Sequence, residues 1–348
     1  MKKKISAIML AFCLIISMSG ADCRASAKKY TKTITISAVG DCTLGSDSRY
    51  NSLFVSKYKE KGADYFLKNV KSVFKKDDLT LVNLEGTLTG ATTRANKTFT
   101  FKGSTSYTKI LTGSGVEAVN LANNHTMDYG QKGFDDTVAA LKEAGIKYSG
   151  YSKIAYYKTK GIKIAMIGLS ALSANTESDI VKQTKDLIKK ARDHGADIVI
   201  TSFHWGVERD YYPNSRQVNI AKAAIDNGSD LVIGHHPHVL QGISMYKGKY
   251  IAYSLGNFCF GGNSNPSDKN TIILQVTYNL KDKKIISTSA KAIPCSLSGA
   301  KSCNDFQPKL LSGGEKTDLL KKLNTYDKGM HAVINEKSGV ITKDKAKS

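Results

Sequence analysis

Three histidines within four positions follow a short apolar run, and they are the residues of this chain best suited to chemistry. The apolar residues Leu231 to Ile233 predict a buried strand, and the next five residues are Gly234-His235-His236-Pro237-His238. Neutral imidazole is the commonest metal ligand in proteins and gains little from burial alone. This stretch therefore predicts one edge of a metal site.

Side chains that can bind metal follow most of the other candidate strands in the same way. The predicted site consists of carboxylate, amide and imidazole groups at strand ends: Asp41, Glu85, Asn124, His125, His204, His236 and His238. In an open α/β sheet these ends share one edge, so we expect residues about two hundred positions apart to converge in one crevice. Each residue alone has an ordinary alternative, a turn cap for Asp or Asn and a core hydrogen bond for His. Their shared position favours a site.

The composition of this set indicates which ions it would bind. Imidazole, carboxylate and one amide oxygen, with no thiolate, suit one or two divalent ions such as Mn, Fe or Zn. A carboxylate such as Glu85 can bridge two ions, and a pair roughly 3.5 to 4 Å apart forms a clamp for phosphoryl oxygens. The predicted chemistry is metal-dependent hydrolysis.

Short β-branched runs alternate with longer segments of helical period, which predicts an α/β domain. The predicted strands are Ile34 to Val39, Leu79 to Val82, Val116 to Leu121, Ile162 to Ile167, Ile198 to Phe203, Leu231 to Ile233 and Tyr250 to Ser254. The predicted helices are Gly133 to Ala144, Asp179 to His194, Arg216 to Asn227 and Glu315 to Leu323. Alternating segments Thr271 to Tyr278 and Lys284 to Ala292 predict a hairpin joined around residues 279 to 283.

The N-terminus has the order of a secretory signal. Lys2, Lys3 and Lys4 precede an apolar run from Ile5 to Met18, and Ala25-Ser26-Ala27 supplies the small-residue exit. The prediction is a signal peptide over residues 1–27 and a secreted or extracellular protein; a retained N-terminal anchor is the alternative. Residues 28–325 are then one domain, and residues 326–348 a basic, flexible tail.

The chain is strongly basic, with a formal net charge of +21, of which +18 remains after residues 1 to 27. Such a surface attracts anionic lipids, wall polymers and acidic polypeptides. No compact cluster of Lys and Arg is interleaved with aromatic residues, so specific nucleic-acid recognition is not predicted. Cys295 and Cys303 stand eight residues apart in a loop-like stretch and either pair in an oxidising compartment or remain free thiols.

Six ordered blocks resemble the capsule-synthesis CapA family, the poly-gamma-glutamate capsule proteins of the calcineurin-like metallophosphoesterase superfamily. The blocks are Ala38-Val39-Gly40-Asp41, Val82-Asn83-Leu84-Glu85, Ala122-Asn123-Asn124-His125 with Asp128 and Gly130, His204-Trp205-Gly206 with Glu208, Gly234-His235-His236-Pro237-His238-Val239, and Ser254-Leu255-Gly256-Asn257-Phe258. Asn304-Asp305 and Pro308 are similar to the family's closing segment. Six blocks in order form a more specific signal than any one of them.

The resemblance implies a four-layer α-β-β-α sandwich, metallophosphoesterase-like, with two mixed sheets face to face and helices outside. The implied ligands of one metal are Asp41, Glu85 and His238, and those of the second are Glu85, Asn124, His204 and His236. His125 would protonate the leaving group, and Asp128 would orient it. His235 corresponds to the variable member of the histidine triplet and is not in the implied ligand set.

Two departures from the wider superfamily concern the metals. Its first motif is usually Asp-x-His, whereas Thr43 stands at the third position here and supplies no imidazole. Its bridging aspartate is here the longer Glu85. One metal position therefore has fewer strong ligands, which implies one ion or two ions of unequal affinity.

Three functions follow from these residues and the resemblance. The first is an exported metal-dependent hydrolase in the biosynthesis of capsular poly-gamma-glutamate or of another envelope polymer. The second is a non-catalytic assembly factor that binds the polyanion, and the third is a hydrolase or transferase for the polymer's amide bonds. The expected partners are an anionic polymer such as poly-gamma-glutamate or an envelope phosphoester, together with membrane-bound components of a polymer synthase.

Overall fold

The computed structural model describes residues 31–172, 176–326 and 331–344. The predicted signal peptide lies outside these residues. The strands are β1 Lys32–Thr43, β2 Leu79–Leu84, β3 Thr87–Leu88, β4 Lys102–Gly103, β5 Ala118–Asn120, β6 Lys147–Ser149, β7 Ala155–Thr159, β8 Ile162–Ser170, β9 Ile198–His204, β10 Leu231–His235, β11 Ile243–Tyr246, β12 Lys249–Ala252, β13 Asn257–Phe260, β14 Asn270–Lys281, β15 Lys284–Ser296, β16 Lys309–Leu310, β17 Ala332–Ile334 and β18 Val340–Lys343. The α-helices are α1 Leu53–Lys61, α2 Lys71–Phe74, α3 Thr108–Ser114, α4 Gly130–Glu143, α5 Glu177–Asp193, α6 Ser215–Asp226 and α7 Gly313–Thr325.

Two large mixed sheets form the centre of the fold. The first has ten strands, with the order β17-β18-β15-β14-β1-β2-β5-β6, while β13 pairs with β1 and β16 with β15. The second has six strands, in the order β11-β12-β10-β9-β8-β7. The neighbours β1, β2, β5 and β6 run parallel, as do β8, β9, β10 and β12. Parallel neighbours bring their carboxyl ends to a common edge.

The buried side chains show how the layers stack. One core lies between the two sheets and contains Ile34 and Ile36 from β1 together with Ile164 and Ile200 from the second sheet. A second core packs α1 to α4 against the other face of the first sheet. A third packs α5 and α6 against the outer face of the second sheet. The α/β class and the expected four layers, helices-sheet-sheet-helices, are therefore confirmed.

Local sequence explains where α5 and α6 begin. The side chain of Thr176 accepts a hydrogen bond from the backbone N–H of Asp179, whose carboxylate accepts one in return from the backbone N–H of Thr176. Asn214 and Gln217 form the same reciprocal capping box for α6. These boxes satisfy backbone donors that a helix end leaves unpaired. The helices therefore begin one or two residues before the predicted starts.

The predicted hairpin after residue 270 is present, with a tighter turn. Strands β14 and β15 are antiparallel and joined by Asp282 and Lys283 alone. Their φ angles are 50° and 64°, as a two-residue type I′ turn requires. The predicted connection over residues 279 to 283 was therefore too long.

The prediction of a flexible tail over residues 326–348 is wrong for residues 332–343, which contain two strands. Strand β17 pairs with β18, and β18 pairs with β15, so this hairpin extends the first sheet. Ile334 and Ile341 are buried in the core between the sheets. Burial of apolar side chains and pairing with β15 thus hold residues 332–343 in place, while residues 327–330 and 345–348 lie outside the described residues.

Several strands extend further than predicted, through the polar residues at their ends. Asp41, His204 and His235 are strand residues rather than residues of the following loop. A bulge between Ala38 and Asp41 shifts the register of β1 against β2. A Cβ atom on Gly40 would meet the carbonyl oxygen of Gly256 at 1.8 Å, so this close approach requires glycine.

Cys42, Cys259, Cys295 and Cys303 are all free thiols in the structure, so the disulfide alternative for Cys295 and Cys303 is not realised. Cys295 is buried and Cys303 is exposed. Within the part of the chain that the structure describes, no helix is both long enough and apolar enough to cross a membrane.

Candidate metal centre

The strand registers of both sheets bring the predicted site residues to one edge of the fold. In the first sheet Asp41 lies opposite Asn83 of β2 and Asn257 of β13. In the second sheet His235 lies opposite His204. The segments that follow β2, β5 and β10 carry the remaining predicted residues to the same edge. The structure thus brings site residues that are distant in the sequence together at one edge of the fold, as expected.

Glu85 is the central residue of this edge. Its side chain is completely buried, and neither carboxylate oxygen has a hydrogen-bond partner among the residues that the structure describes. The Nε2 atoms of His125, His204 and His238 lie 3.8, 3.9 and 3.7 Å from its Oε1 atom. These distances are too long for hydrogen bonds. Ligand atoms about 2.0 to 2.2 Å from a shared cation lie roughly 3 to 4 Å from one another, so a bound cation would explain the arrangement.

Two groups of side chains have the spacing of a metal site. Asp41, Glu85 and His238 form one group, and Glu208, His236 and His238 form the other. In each group the ligand atoms lie within 4.8 Å of one another. The first group contains the residues that the resemblance implied for one metal. The second differs from the implied set because it includes Glu208, which is exposed, and shares His238.

The other residues implied for the second metal lie beside Glu85. The Nε2 atom of His204 is 2.8 Å from the Oδ1 atom of Asn124. The rings of His204 and His236 have their centroids 4.8 Å apart. Buried ring nitrogens of both histidines, Nδ1 in each case, have no hydrogen-bond partner within the described ranges. A buried polar atom without a partner is costly unless a further group satisfies it.

The electrostatics of the site favour cation binding. Burial raises the pKa of Glu85 to about 8, despite the opposing charge of His238. Burial also raises the pKa of Asp41, but hydrogen bonds and attraction from His235 and His238 outweigh it and hold that pKa well below its usual range. A carboxyl group that is costly to ionise in isolation gains most from a cation placed beside it.

The histidines of the site differ in charge. Burial holds the pKa of His204 well below its usual range and lowers that of His236 to about 4, so both are neutral and able to ligate. Burial also opposes the charge on His238, but the carboxylates of Glu85 and Asp41 raise its pKa to about 10. Without metal, His238 therefore carries a proton where a cation would otherwise sit.

His125 is held by a network at the edge of the site. Its Nδ1 atom is 2.8 Å from the Oδ2 atom of Asp128, which is completely buried. The ammonium group of Lys97 donates to the other oxygen of Asp128 at 2.8 Å and to the backbone carbonyl of Asn124 at 2.7 Å. Because Asp128 accepts at Nδ1, that nitrogen carries a proton and Nε2 faces Glu85.

The histidine-rich turn after β10 has a strained backbone. His236 and His238 have φ angles of 97° and 59°, in the left-handed region that favours glycine. Residues in such conformations cost of order 1–3 kcal/mol each and persist where the surrounding structure fixes them. The strain directs both imidazoles into the crevice, where the backbone N–H of His236 also donates to Asp41 at 3.3 Å.

Two residues that the implied ligand set leaves out lie on the strands that end at this edge, His235 on β10 and Thr43 on β1. His235 is buried with its Nδ1 atom 3.3 Å from the Oδ1 atom of Asp41. Thr43 is completely buried, and its hydroxyl has no hydrogen-bond partner in the described segments. The Asp-x-His motif of the superfamily that the sequence resembles has a histidine at this position, whereas Thr43 is polar but supplies no imidazole.

The structure also adds residues that the ligand prediction omitted. Asn257 has its Oδ1 atom 2.9 Å from Nδ1 of His238, and Asn83 donates to Asp41 at 2.9 Å. Asn257, Asn83 and Glu208 all lie in the blocks that carry the resemblance, which was the available signal. Lys97 lies between β3 and β4 in a stretch without periodic pattern, so nothing in the sequence singled it out.

Comparison with known proteins gave a match to one family model. The model of the bacterial capsule synthesis protein PGA_cap matches residues 35–262. The capsule biosynthesis protein CapA of Bacillus anthracis is 33% identical over 273 residues, covering 72% of this chain and 64% of the relative. The PGA biosynthesis protein CapA of Bacillus subtilis (strain 168) is 36% identical over 248 residues, covering 65% of this chain and 63% of the relative. The chain thus spans less than two thirds of the length of either relative.

Among solved structures, the crystal structure of a novel phosphatase from Mycoplasma pneumoniae is similar to this fold. The sequences are 18% identical, and the match covers 76% of this chain and 95% of the phosphatase, with a TM-score of 0.48.

Proposed function

Because this chain belongs to the bacterial capsule synthesis protein PGA_cap family, we propose that it is a metal-dependent hydrolase of a phosphoester in capsule or envelope polymer biosynthesis. The observation that carries the proposal is the buried Glu85 carboxylate, which has no hydrogen-bond partner in the described residues and has three imidazoles within 3.9 Å. A divalent cation held there would supply positive charge that stabilises a phosphoryl group during attack. The relatives named for capsule and PGA biosynthesis support the polymer context.

We assign the metal site to the side chains that surround Glu85. The proposed ligands are Asp41, Glu85, Asn124, His204, His236 and His238, with Glu208 as an additional candidate. Their hard and borderline donor atoms suit Mn, Fe or Zn. Because Thr43 supplies no imidazole, we expect one tightly bound ion, or two ions of unequal affinity.

His125 is the proposed acid that protonates the leaving group. Asp128 holds its ring through Nδ1, so Nε2 is the atom that faces the crevice. Lys97 and the backbone N–H of Phe101 hold the Asp128 carboxylate in turn, at 2.8 and 2.6 Å. Burial lowers the pKa of His125, although Asp128 opposes this, so as the acid the ring must carry a second proton on Nε2 in addition to the one on Nδ1. The chain fixes that nitrogen in one orientation before a substrate arrives.

Metal-dependent turnover tests this proposal. Protein stripped with EDTA and reloaded separately with Mn, Fe or Zn is assayed on bis(p-nitrophenyl) phosphate and on poly-gamma-glutamate. We expect the reloaded protein to cleave the phosphodiester, and Glu85→Gln to lose at least about 100-fold in rate because it removes the central carboxylate. Asp77→Asn, a half-buried acid away from the site, is the matched control and should retain activity.

The same assay separates the alternatives. Metal-dependent cleavage of poly-gamma-glutamate without cleavage of the phosphodiester would replace the phosphoester with an amide substrate. Stoichiometric metal binding without turnover of either substrate would contradict a hydrolase and leave the non-catalytic alternative.

A second candidate function, binding of an anionic polymer, is favoured by a cavity next to the metal centre. This cavity of about 660 Å³ lies against α7 and shares Ser267 and Asp268 with the smaller cavity over His125 and His238. Its walls include four lysines, Lys269, Lys301, Lys309 and Lys322. Three carboxylates, Asp268, Glu315 and Asp318, also line it and offset part of that charge.

Salt dependence and charge removal test this second function. Binding of fluorescent poly-gamma-glutamate should weaken steeply as salt is added, because screening shortens the range of the attraction. The double variant Lys301→Ala/Lys309→Ala should weaken binding more than Lys185→Ala/Lys189→Ala on α5, which removes the same charge elsewhere. Equal effects of both variants would assign the attraction to net charge instead of the cavity.

We further propose that the protein acts outside the cytoplasm, on the composition of residues 1–27. N-terminal sequencing of the secreted protein should give a start at residue 28. A membrane-bound product that retains residues 1–27 would favour the anchor alternative instead.

A further inference from the structure

A small cavity with aromatic walls opens directly onto the candidate metal centre. Its volume is about 160 Å³, and His125 and His238 form its inner end. The rings of Phe99, Phe101 and Phe260 line it, and Val239 and Pro266 add further apolar surface. Neither a metal ion nor a phosphoryl group needs such walls, since both are bound by polar and charged groups.

The aromatic rings form a continuous row from the surface to His125. The centroid of Phe101 is 4.4 Å from that of His125, and Phe99 stacks on Phe101 at 6.4 Å with an interplanar angle of 14°. Phe260 lies edge-on to Phe101 at 6.2 Å and 5.2 Å from the ring of His238. Phe99 is 47% exposed at the mouth of the cavity.

Phe99 is exposed although its segment is firmly held. On one side of it the carbonyl of Thr98 accepts a hydrogen bond from the guanidinium of Arg49. On the other side the backbone N–H of Thr100 donates to Asp47 at 2.9 Å, and that of Phe101 donates to Asp128 at 2.6 Å. A large apolar ring held in water beside a catalytic crevice forms a preorganised contact surface.

The size of the cavity restricts what can occupy it. An apolar cavity of roughly 150 Å³ accommodates one benzene ring. A single six-membered ring therefore matches the volume of this cavity, where it would lie against Phe99, Phe101 and Phe260. The ring would lie against His125, the proposed donor of a proton to the leaving group.

We propose that this cavity selects phosphoesters that carry a ring-sized, largely apolar group next to the phosphoryl centre, with Phe99 as the specificity-determining residue. This inference rests on the proposed function of the metal site. Arg209 also lines the cavity, but the carboxylates of Glu208 and Asp268 line it too and offset its charge, so the aromatic rings are the selective feature. Phe101 and Tyr50 pack against the ring of Phe99, with centroids 6.4 and 5.0 Å away, and the part of the ring that stays exposed can contact a ligand ring.

Binding of two phosphonates tests the inference without requiring turnover. Phenylphosphonate and methylphosphonate have the same anionic head and differ in the ring, and their affinities for the metal-loaded protein are measured by calorimetry. We expect phenylphosphonate to bind about tenfold more tightly, because it buries its ring against aromatic walls. Phe99→Ala should remove most of this preference and leave methylphosphonate binding unchanged, whereas Phe99→Tyr should keep it.

Ile286→Ala is the matched control, because Ile286 is an exposed apolar residue on β15 that does not line the cavity. Equal affinity for the two phosphonates, or equal weakening of both by Phe99→Ala, would overturn the selectivity and leave the metal-dependent hydrolase intact. Failure of the metal-loaded protein to bind either phosphonate would overturn the phosphoester function together with the inference.

Discussion

Replacing Glu85 with glutamine should stabilise the metal-free protein and remove its response to metal. The side chain is completely buried, and its oxygens have no hydrogen-bond partner within the described ranges. Burial raises the pKa of this carboxyl to about 8, so at pH 7 most folded molecules hold it protonated. Glutamine has nearly the same shape and is neutral at every pH.

The magnitude follows from the two pKa values. The unfolded carboxyl, with a pKa of 4.5, is ionised at pH 7, so folding must take up a proton. Each pH unit between 4.5 and 7 is worth about 1.4 kcal/mol, which gives a penalty of about 3 kcal/mol. Because the folded pKa is the raised one, the penalty is small at pH 5, grows as the pH rises and levels off above about pH 9, where the folded group is also ionised. The variant avoids it.

Urea unfolding in EDTA, at pH 5 and pH 7, measures this difference. The advantage of Glu85→Gln in the free energy of unfolding should be under about 1 kcal/mol at pH 5 and about 3 kcal/mol at pH 7. Saturating metal should then stabilise the wild type by about 3 kcal/mol at one hundred times its Kd, and the variant much less. Asp77→Asn serves as a control whose response to metal is intact. A metal-free variant less stable than the wild type at pH 7 would contradict the cost of burying Glu85, and an equal gain from metal in both proteins would contradict its role as a ligand.

Three further predictions concern the surroundings of Glu85. His125→Asn should slow cleavage of alkyl phosphoesters by about 100-fold or more and of p-nitrophenyl esters much less, because only poor leaving groups need the acid; steady-state rates on both classes check this. Lys97→Met should lower kcat without changing metal content, and Lys97→Arg should restore part of it, measured by kinetics beside elemental analysis. Metal binding at pH 7 should release protons and strengthen as the pH rises, because His238, with a pKa of about 10, must lose its proton and Glu85 must ionise; calorimetry in buffers of different ionisation enthalpy measures the release.

The sequence predicted the strand-end residues of the site because their signals are local. The run Gly234 to His238 follows an apolar strand, and Asp41 follows another, so position along the chain was enough to suggest convergence. What could not be predicted was contact across distant segments. Lys97 reaches Asp128 and Asn124 from a loop without pattern, and Asn257 meets His238 only because β13 pairs with β1.

The tail was predicted wrongly for the same physical reason, which is contact between segments that are distant in the sequence. The last ten residues carry three lysines and only two large apolar residues, which is typical of a loose segment. Ile334 and Ile341 are nevertheless buried, because β18 pairs with β15 and closes over the core between the sheets. Long-range pairing of this kind leaves no trace in local composition. The tight turn at Asp282 and Lys283 was missed since neither residue is the glycine or asparagine usual at positive φ.

The most direct test of the metal centre is anomalous diffraction from crystals grown with Mn. We expect an anomalous peak between Glu85, Asp41 and His238, with coordination distances of about 2.0 to 2.3 Å, and a second, weaker peak towards His236 or none. Crystals that show no peak at Glu85, or Mn bound elsewhere while Glu85 stays without a ligand, would contradict it.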